Sequence, residues 1–197
     1  MSGVEIDQCR RRIAAVLALL PLGTLVASGA APLRGGQNPS KTLVAFFSRS
    51  GNTRVIAGLL QRRLAANLFE IQPAKPYPED YLETVAQATR ERDNQFEPPL
   101  AIRAANVSDY DTVYLGFPIW GETAPSIVRS FLSAHDLGKK TVIPFITHGG
   151  YGVGSSIDVL RSHAPNAELK DAFVMEADQE RRTLNKVTSW LGETGFR

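Results

Sequence analysis

The chain has 197 residues, 43% of them hydrophobic, and a formal net charge of +2. That length supports one domain with an appendage, and without a basic stripe interleaved with aromatics it argues against nucleic acid as a partner. The only cysteine, Cys9, leaves everything after it without disulfides, thiol redox chemistry or thiolate metal sites.

The appendage comes first. Arg10, Arg11 and Arg12 precede the apolar runs Ile13 to Leu20 and Leu22 to Ala27, and Ser28-Gly29-Ala30 closes them. A basic, then apolar, then small-residue order is that of an export signal, so residues 1–30 read as a signal cleaved after Ala30, with a periplasmic destination. The arginine run points to the twin-arginine route for folded proteins, although Ile13-Ala14-Ala15 stands where such signals place a bulkier apolar pair. An uncleaved membrane anchor competes, weakened by Pro21 and Gly23. So does a mis-assigned start codon, which would leave a cytoplasmic protein. Residues 31–40 form a Pro/Gly-rich connector. Arg10, Arg11, Arg12 and Arg34 against Glu5 and Asp7 account for the whole net charge, so the domain 41–197 is neutral, with 18 basic and 18 acidic residues.

From Thr42 onward, strands and helices alternate. Strand Thr42–Phe47 runs through the loop Ser48-Arg49-Ser50-Gly51-Asn52-Thr53 into a helix from Thr53 to Ala66. Strand-loop-helix geometry gathers unpaired N–H groups at the positive end of a helix dipole, a natural place for a phosphate. Ser48, Ser50 and Thr53 add hydroxyls, and Gly51 and Asn52 tolerate the positive φ of a tight turn. No Gly-Lys-Ser/Thr and no G-x-G-x-x-G follows, so the anion is a single phosphate rather than a triphosphate or pyrophosphate. An ordinary capped turn is the alternative reading. Arg49 and Arg54 could neutralise the phosphate, or Arg54 could point to water.

Strand Asn67–Ile71 comes next, then the segment Pro73 to Pro78, in which Tyr77, with Tyr81, staples the loop. A helix from Glu79 to Arg92 and strand Asp111–Gly116 lead to Phe117-Pro118-Ile119-Trp120-Gly121-Glu122-Thr123, where Trp120 sits on an irregular segment. A helix from Ala124 to Ala134 and strand Lys140–Ile146 follow, Pro144 costing that strand one ladder donor. The next loop, Thr147-His148-Gly149-Gly150-Tyr151-Gly152-Val153-Gly154, has four glycines that let backbone approach a ring edge. A helix from Gly154 to Ser162, strand Leu169–Glu176 and a final helix from Asp178 to Leu191 complete the chain. Trp190 on that last helix reads as core; His135 and His163 read as capping or solvated.

Five strands alternating with five helices imply an α/β fold, a parallel sheet covered on both faces, and the continuous apolar runs of the first and fourth strands agree. Ligands in such sheets sit outside the carboxyl ends of the strands at the topological switch point. The three loops that leave those ends describe a mononucleotide with a large planar head.

The motifs F-S-R-S-G-N-T (Phe47 to Thr53), G-F-P-I-W (Gly116 to Trp120) and T-H-G-G-x-G-x-G-S-S (Thr147 to Ser156) give residues 41–192 a pattern that resembles the flavodoxin family, closest to short-chain flavodoxin-like proteins. The resemblance implies a doubly wound five-stranded sheet in the order 2-1-3-4-5 with FMN bound non-covalently. It implies that Ser48, Arg49, Ser50, Gly51, Asn52 and Thr53 hold the FMN phosphate. Pro118, Ile119, Trp120 and Gly121 would flank the isoalloxazine, with Trp120 over one face. Thr147, His148, Gly149, Gly150, Tyr151 and Gly152 would border the opposite side. By the same resemblance the Gly121 carbonyl would accept the proton at flavin N5, and the nearby Glu122 would disfavour an anionic reduced flavin by repulsion.

Two activities remain open. One is an electron carrier between redox partner proteins; the other is an FMN-dependent NAD(P)H reductase of quinone-like acceptors. Carriers of this fold are usually strongly acidic, and this neutral domain departs from that. Against the reductase, no nicotinamide-phosphate site and no long insertion is legible, and export would remove the protein from cytoplasmic NAD(P)H. Reductases of this fold often complete their sites as homodimers, whereas a monomer would favour the carrier.

Overall fold

The structure is a computed structural model that describes residues 40–177 and 180–193. The expected signal in residues 1–30 and nearly all of the connector therefore lie outside the described residues. Among the described residues, no helix is long and apolar enough to cross a membrane.

Strands β1 (Thr42–Phe46), β2 (Asn67–Glu70), β3 (Thr112–Pro118), β4 (Thr141–His148), β5 (Glu168–Leu169) and β6 (Phe173–Glu176) alternate with helices α1 (Asn52–Leu64), α2 (Tyr81–Asp93), α3 (Ser126–Ala134), α4 (Ser156–His163) and α5 (Glu180–Glu193). All pairings are parallel and the order is β2-β1-β3-β4-β5, the expected doubly wound sheet. The chain reverses direction across the sheet between β1 and β3, which is the switch point.

Strand alternation divides the core in two. Leu43, Ala45 and Phe47 face Ile127, Val128 and Phe131 of α3, while Val44 and Phe46 face Ile56 and Leu60 of α1 and Val187 and Leu191 of α5. Both faces of β1 are thus covered, which is why its apolar run is unbroken. On the second face Trp190 stacks on Phe173, centroids 5.1 Å apart, and meets Tyr114 edge-on at 5.8 Å.

The fifth strand position departs from the single strand expected over Leu169–Glu176. It is filled by β5 and β6, both paired with β4. Leu169 pairs with Val142 and Phe173 with Phe145, so the outer strand spends one residue more than β4 over the same span. Pro144 explains the break. The Val142 carbonyl accepts from the Lys170 amide at 2.9 Å; two residues on, Pro144 turns the same side outward with no N–H to give. The ladder loosens there, and a bulge takes up the slack.

Candidate cofactor site

Three connections leave the carboxyl ends of β1, β3 and β4 and converge above the switch point. In the first, Gly51 adopts φ +97° as the N-cap of α1, a conformation available to glycine at little cost. The Ser48 hydroxyl accepts from the Gly51 amide at 3.2 Å, which leaves its own proton free to donate. Asn52, Thr53 and Arg54 open the helix, so their amides have no partner within it. No acidic residue sits in that first turn, and a Cβ built on Gly51 meets nothing within 4 Å. The loop is open above and offers amide and hydroxyl donors at a positive dipole end with no carboxylate in the first turn, so its donor set fits a phosphate.

The arginines beside it are engaged elsewhere. Arg49 donates to the Glu79 carbonyl at 2.6 Å and lies 6.0 Å over the Tyr81 ring, while Arg54 is ion-paired with Glu70 on β2. Thr53 also turns inward. It is 1% exposed and its hydroxyl meets that of Thr147, itself 2% exposed, at 2.9 Å. That bond ties the start of α1 to the end of β4. The face open to a ligand is therefore built by Ser48, Ser50 and backbone amides.

In the second connection, Pro118 is the last residue of β3, paired with Thr147, and the Ile119 amide donates to the Thr147 carbonyl at 2.8 Å. Trp120 and Thr123 then exchange backbone hydrogen bonds of 3.0 and 3.3 Å around Gly121 (φ +55°) and Glu122 (φ +63°). Positive φ at both central residues makes this a type I′ turn. Trp120 is half-buried, set edge-on against Tyr77 at 4.8 Å and Phe47 at 5.1 Å. It is thus held by the core as well as placed beside the cleft. Tyr77 is fixed in turn by its hydroxyl, which donates to Glu91 at 2.8 Å. Burial foremost, then the Glu91 carboxylate, push the Tyr77 phenol far up, with the Ile127 amide and Arg129 pulling the other way.

The third connection wraps around His148. Its Nδ1 accepts from the amides of Gly150 at 3.0 Å and Gly152 at 3.3 Å, so the neutral ring carries its proton on Nε2. Gly149 completes the turn, Gly150 and Gly152 adopt φ +109° and +73°, and Tyr151 at the tip is 85% exposed. His148 thus organises the loop by its own ring. The loop is then locked to the second connection: the Ser155 amide donates to the Glu122 carbonyl at 2.9 Å, and a Cβ on Gly154 would fall 1.8 Å from that oxygen.

Arg92 is the residue sequence reasoning missed. From the end of α2 its Nη1 donates to the Gly121 carbonyl at 3.2 Å, the atom expected to face flavin N5. Those residues are far apart in sequence, and no local pattern signals the contact.

Fold and site together define a doubly wound α/β protein with an anion-ready loop at its switch point and aromatic and glycine-rich loops beside it. The sequence profile of the flavodoxin family matches residues 41–194, and the chain belongs to that family. Among solved structures, a protein of Bacteroides eggerthii DSM 20697 assigned as a flavoprotein is 31% identical, over 80% of this chain and 99% of its own, with a TM-score of 0.68. One from Bacteroides uniformis ATCC 8492 with the same assignment is 30% identical over 78% and 99%, with a TM-score of 0.69. A flavoprotein from Lactobacillus acidophilus NCFM, solved in complex with FMN, shares the fold at 18% identity, over 76% and 99%, with a TM-score of 0.58. No curated protein matches the chain.

Proposed function

We propose that this protein binds FMN non-covalently and carries electrons between redox partners. The observation that carries the proposal is the convergence of three loops at the switch point, one of them an α1 N-terminus without an acidic residue in its first turn. Ser48, Ser50 and the amides of Asn52, Thr53 and Arg54 would hold the phosphate, with Thr53 fixing the helix start through Thr147. Trp120, braced by Phe47 and Tyr77, would cover one ring face, and the loop from Thr147 to Gly152 would border the other side. The Gly121 carbonyl would stand near N5. FMN, when bound, supplies the capacity to take up and release one or two electrons. The order of regions in residues 1–30 extends the proposal to an exported protein.

A reductase is the second reading. The neutral domain favours it, as does a cleft of about 300 Å³ beside the phosphate loop, lined by Phe47, Arg49, Ile71, Pro76 and Tyr77, which could admit a small planar acceptor. Anaerobic titration of the purified full chain, followed by absorbance, decides between them. We expect a yellow protein reduced by dithionite in two resolved one-electron stages and inert to NADH and NADPH. Rapid two-electron bleaching by a nicotinamide would make it a reductase. A colourless protein that cannot take up added FMN would overturn both.

A further inference from the structure

Behind the Trp120–Thr123 turn lies a second cleft, of about 580 Å³, with Arg92, Glu122, Thr123, Arg129, Gly154 and Ser155 on its walls. Arg129, on α3, is only 7% exposed. Its Nη2 donates to Ser126 Oγ at 3.4 Å, close to the limit of a hydrogen bond, and its buried Nε has no hydrogen-bond partner among the described residues. A guanidinium presents five donors in a planar fork, and burying one with a single weak partner is costly unless a counter-charge completes it.

The neighbouring carboxylates do not complete it. Each oxygen of buried Glu91 accepts a bond, one from Tyr77 and the other from Gln87, and among the described residues neither Glu91 nor any other carboxylate forms an ion pair with Arg129. Glu122 stands on the cleft wall without reaching it. Two further donors converge on the same space. Arg92 reaches the rim, bonded to Asp93 and Gly121, and the Thr123 hydroxyl accepts from Ser155 Oγ at 3.0 Å, which leaves its own proton to give. Arg92 is balanced by its ion pair with Asp93, which leaves Arg129 as the guanidinium on the wall without an ion pair among the described residues.

We propose that this cleft binds a small oxyanion, a carboxylate or a phosphate group, with Arg129 as the buried fork and Arg92 at the rim. The proposal does not require the flavin reading; the cleft shares the Gly121 turn with it through Arg92, whereas the loop from Ser48 to Thr53 takes no part in the cleft and serves as the control.

The test is an NMR titration of the full chain at constant ionic strength, with inorganic phosphate and separately with acetate, chloride serving as the balancing ion. It reads the Arg129 Nε–H signal and the amides of Gly154 and Ser155 against those of Gly51 to Thr53. Saturable shifts in the Arg129 group with either anion support the site, and which anion saturates it identifies the ligand as a phosphate or a carboxylate. Arg129→Met should weaken that binding at least about tenfold and Arg92→Gln by about threefold or more. Shifts that never saturate, that persist unchanged in Arg92→Gln, or that are confined to residues 51–53 would mean an adventitious ion only and overturn the proposal. Should Arg129→Met fail to fold, the wild-type signals and Arg92→Gln, whose side chain lies at the surface, decide the question.

Discussion

Thr53 and Thr147 show how one buried pair of hydroxyls sets the position of a loop. Each satisfies the other at 2.9 Å, with almost no access to water. Thr53→Val or Thr147→Val alone strands the remaining hydroxyl, and each should lower stability by about 1–3 kcal/mol. The double valine variant should recover most of that loss, and a double-mutant cycle from urea unfolding checks it. Position within the motif placed both threonines near the ligand loops, but which way a hydroxyl turns depends on what stands opposite, and Thr147 is far away in sequence. Trp120 makes the same point. Its place on an irregular segment was legible, whereas its bracing by Tyr77 and Phe47 arises only when β1, the Pro-rich segment and the turn after β3 come together.

Among the elements, the loop after β1 could be read almost whole, since its residue types and its place between strand and helix are local properties. The fifth strand could not. Pro144 lies on β4, and its missing donor acts on a neighbouring strand, so the split into β5 and β6 follows from pairing rather than from either strand's own pattern. Gly116 is a similar case. It sits opposite Phe145, and a Cβ there would lie 2.0 Å from the ring, so the glycine of the β3 motif is needed to let an aromatic ring cross the sheet face. Gly116→Ala should therefore cost about 1–3 kcal/mol, as over-packing of a filled core does, seen as a lower urea midpoint with an unchanged slope.

At the scale of the molecule, the two cores on either side of the sheet set its alkaline limit. Tyr114 lies wholly inside the second core, and burial pushes its phenol from the ordinary value near 10 up to about 12. A raised phenol means that the folded state holds the proton more tightly than the unfolded chain does. The stabilisation is therefore complete below pH 10 and is lost as pH rises toward 12, by about 1–3 kcal/mol. Urea unfolding between pH 8 and 12 should show this decline, and Tyr114→Phe should remove about half of it, since the Tyr77 phenol, raised further by burial, contributes over the same range. An unchanged slope in the variant would mean that Tyr114 does not contribute to the decline, leaving it to Tyr77.

The sequence by itself determined the alternation of elements, the doubly wound class, the family and the three loops at the strand ends. Each rests on periodicity, turn chemistry or contiguous motifs, which act over a few residues. Only the tertiary structure decided that Arg49 and Arg54 are engaged away from the phosphate loop, that His148 binds its own loop through Nδ1, that Arg92 holds the Gly121 carbonyl and that Arg129 is buried beside a cleft with no ion pair among the described residues. Those facts depend on which donor meets which acceptor across elements far apart in the chain, and no local pattern encodes that pairing.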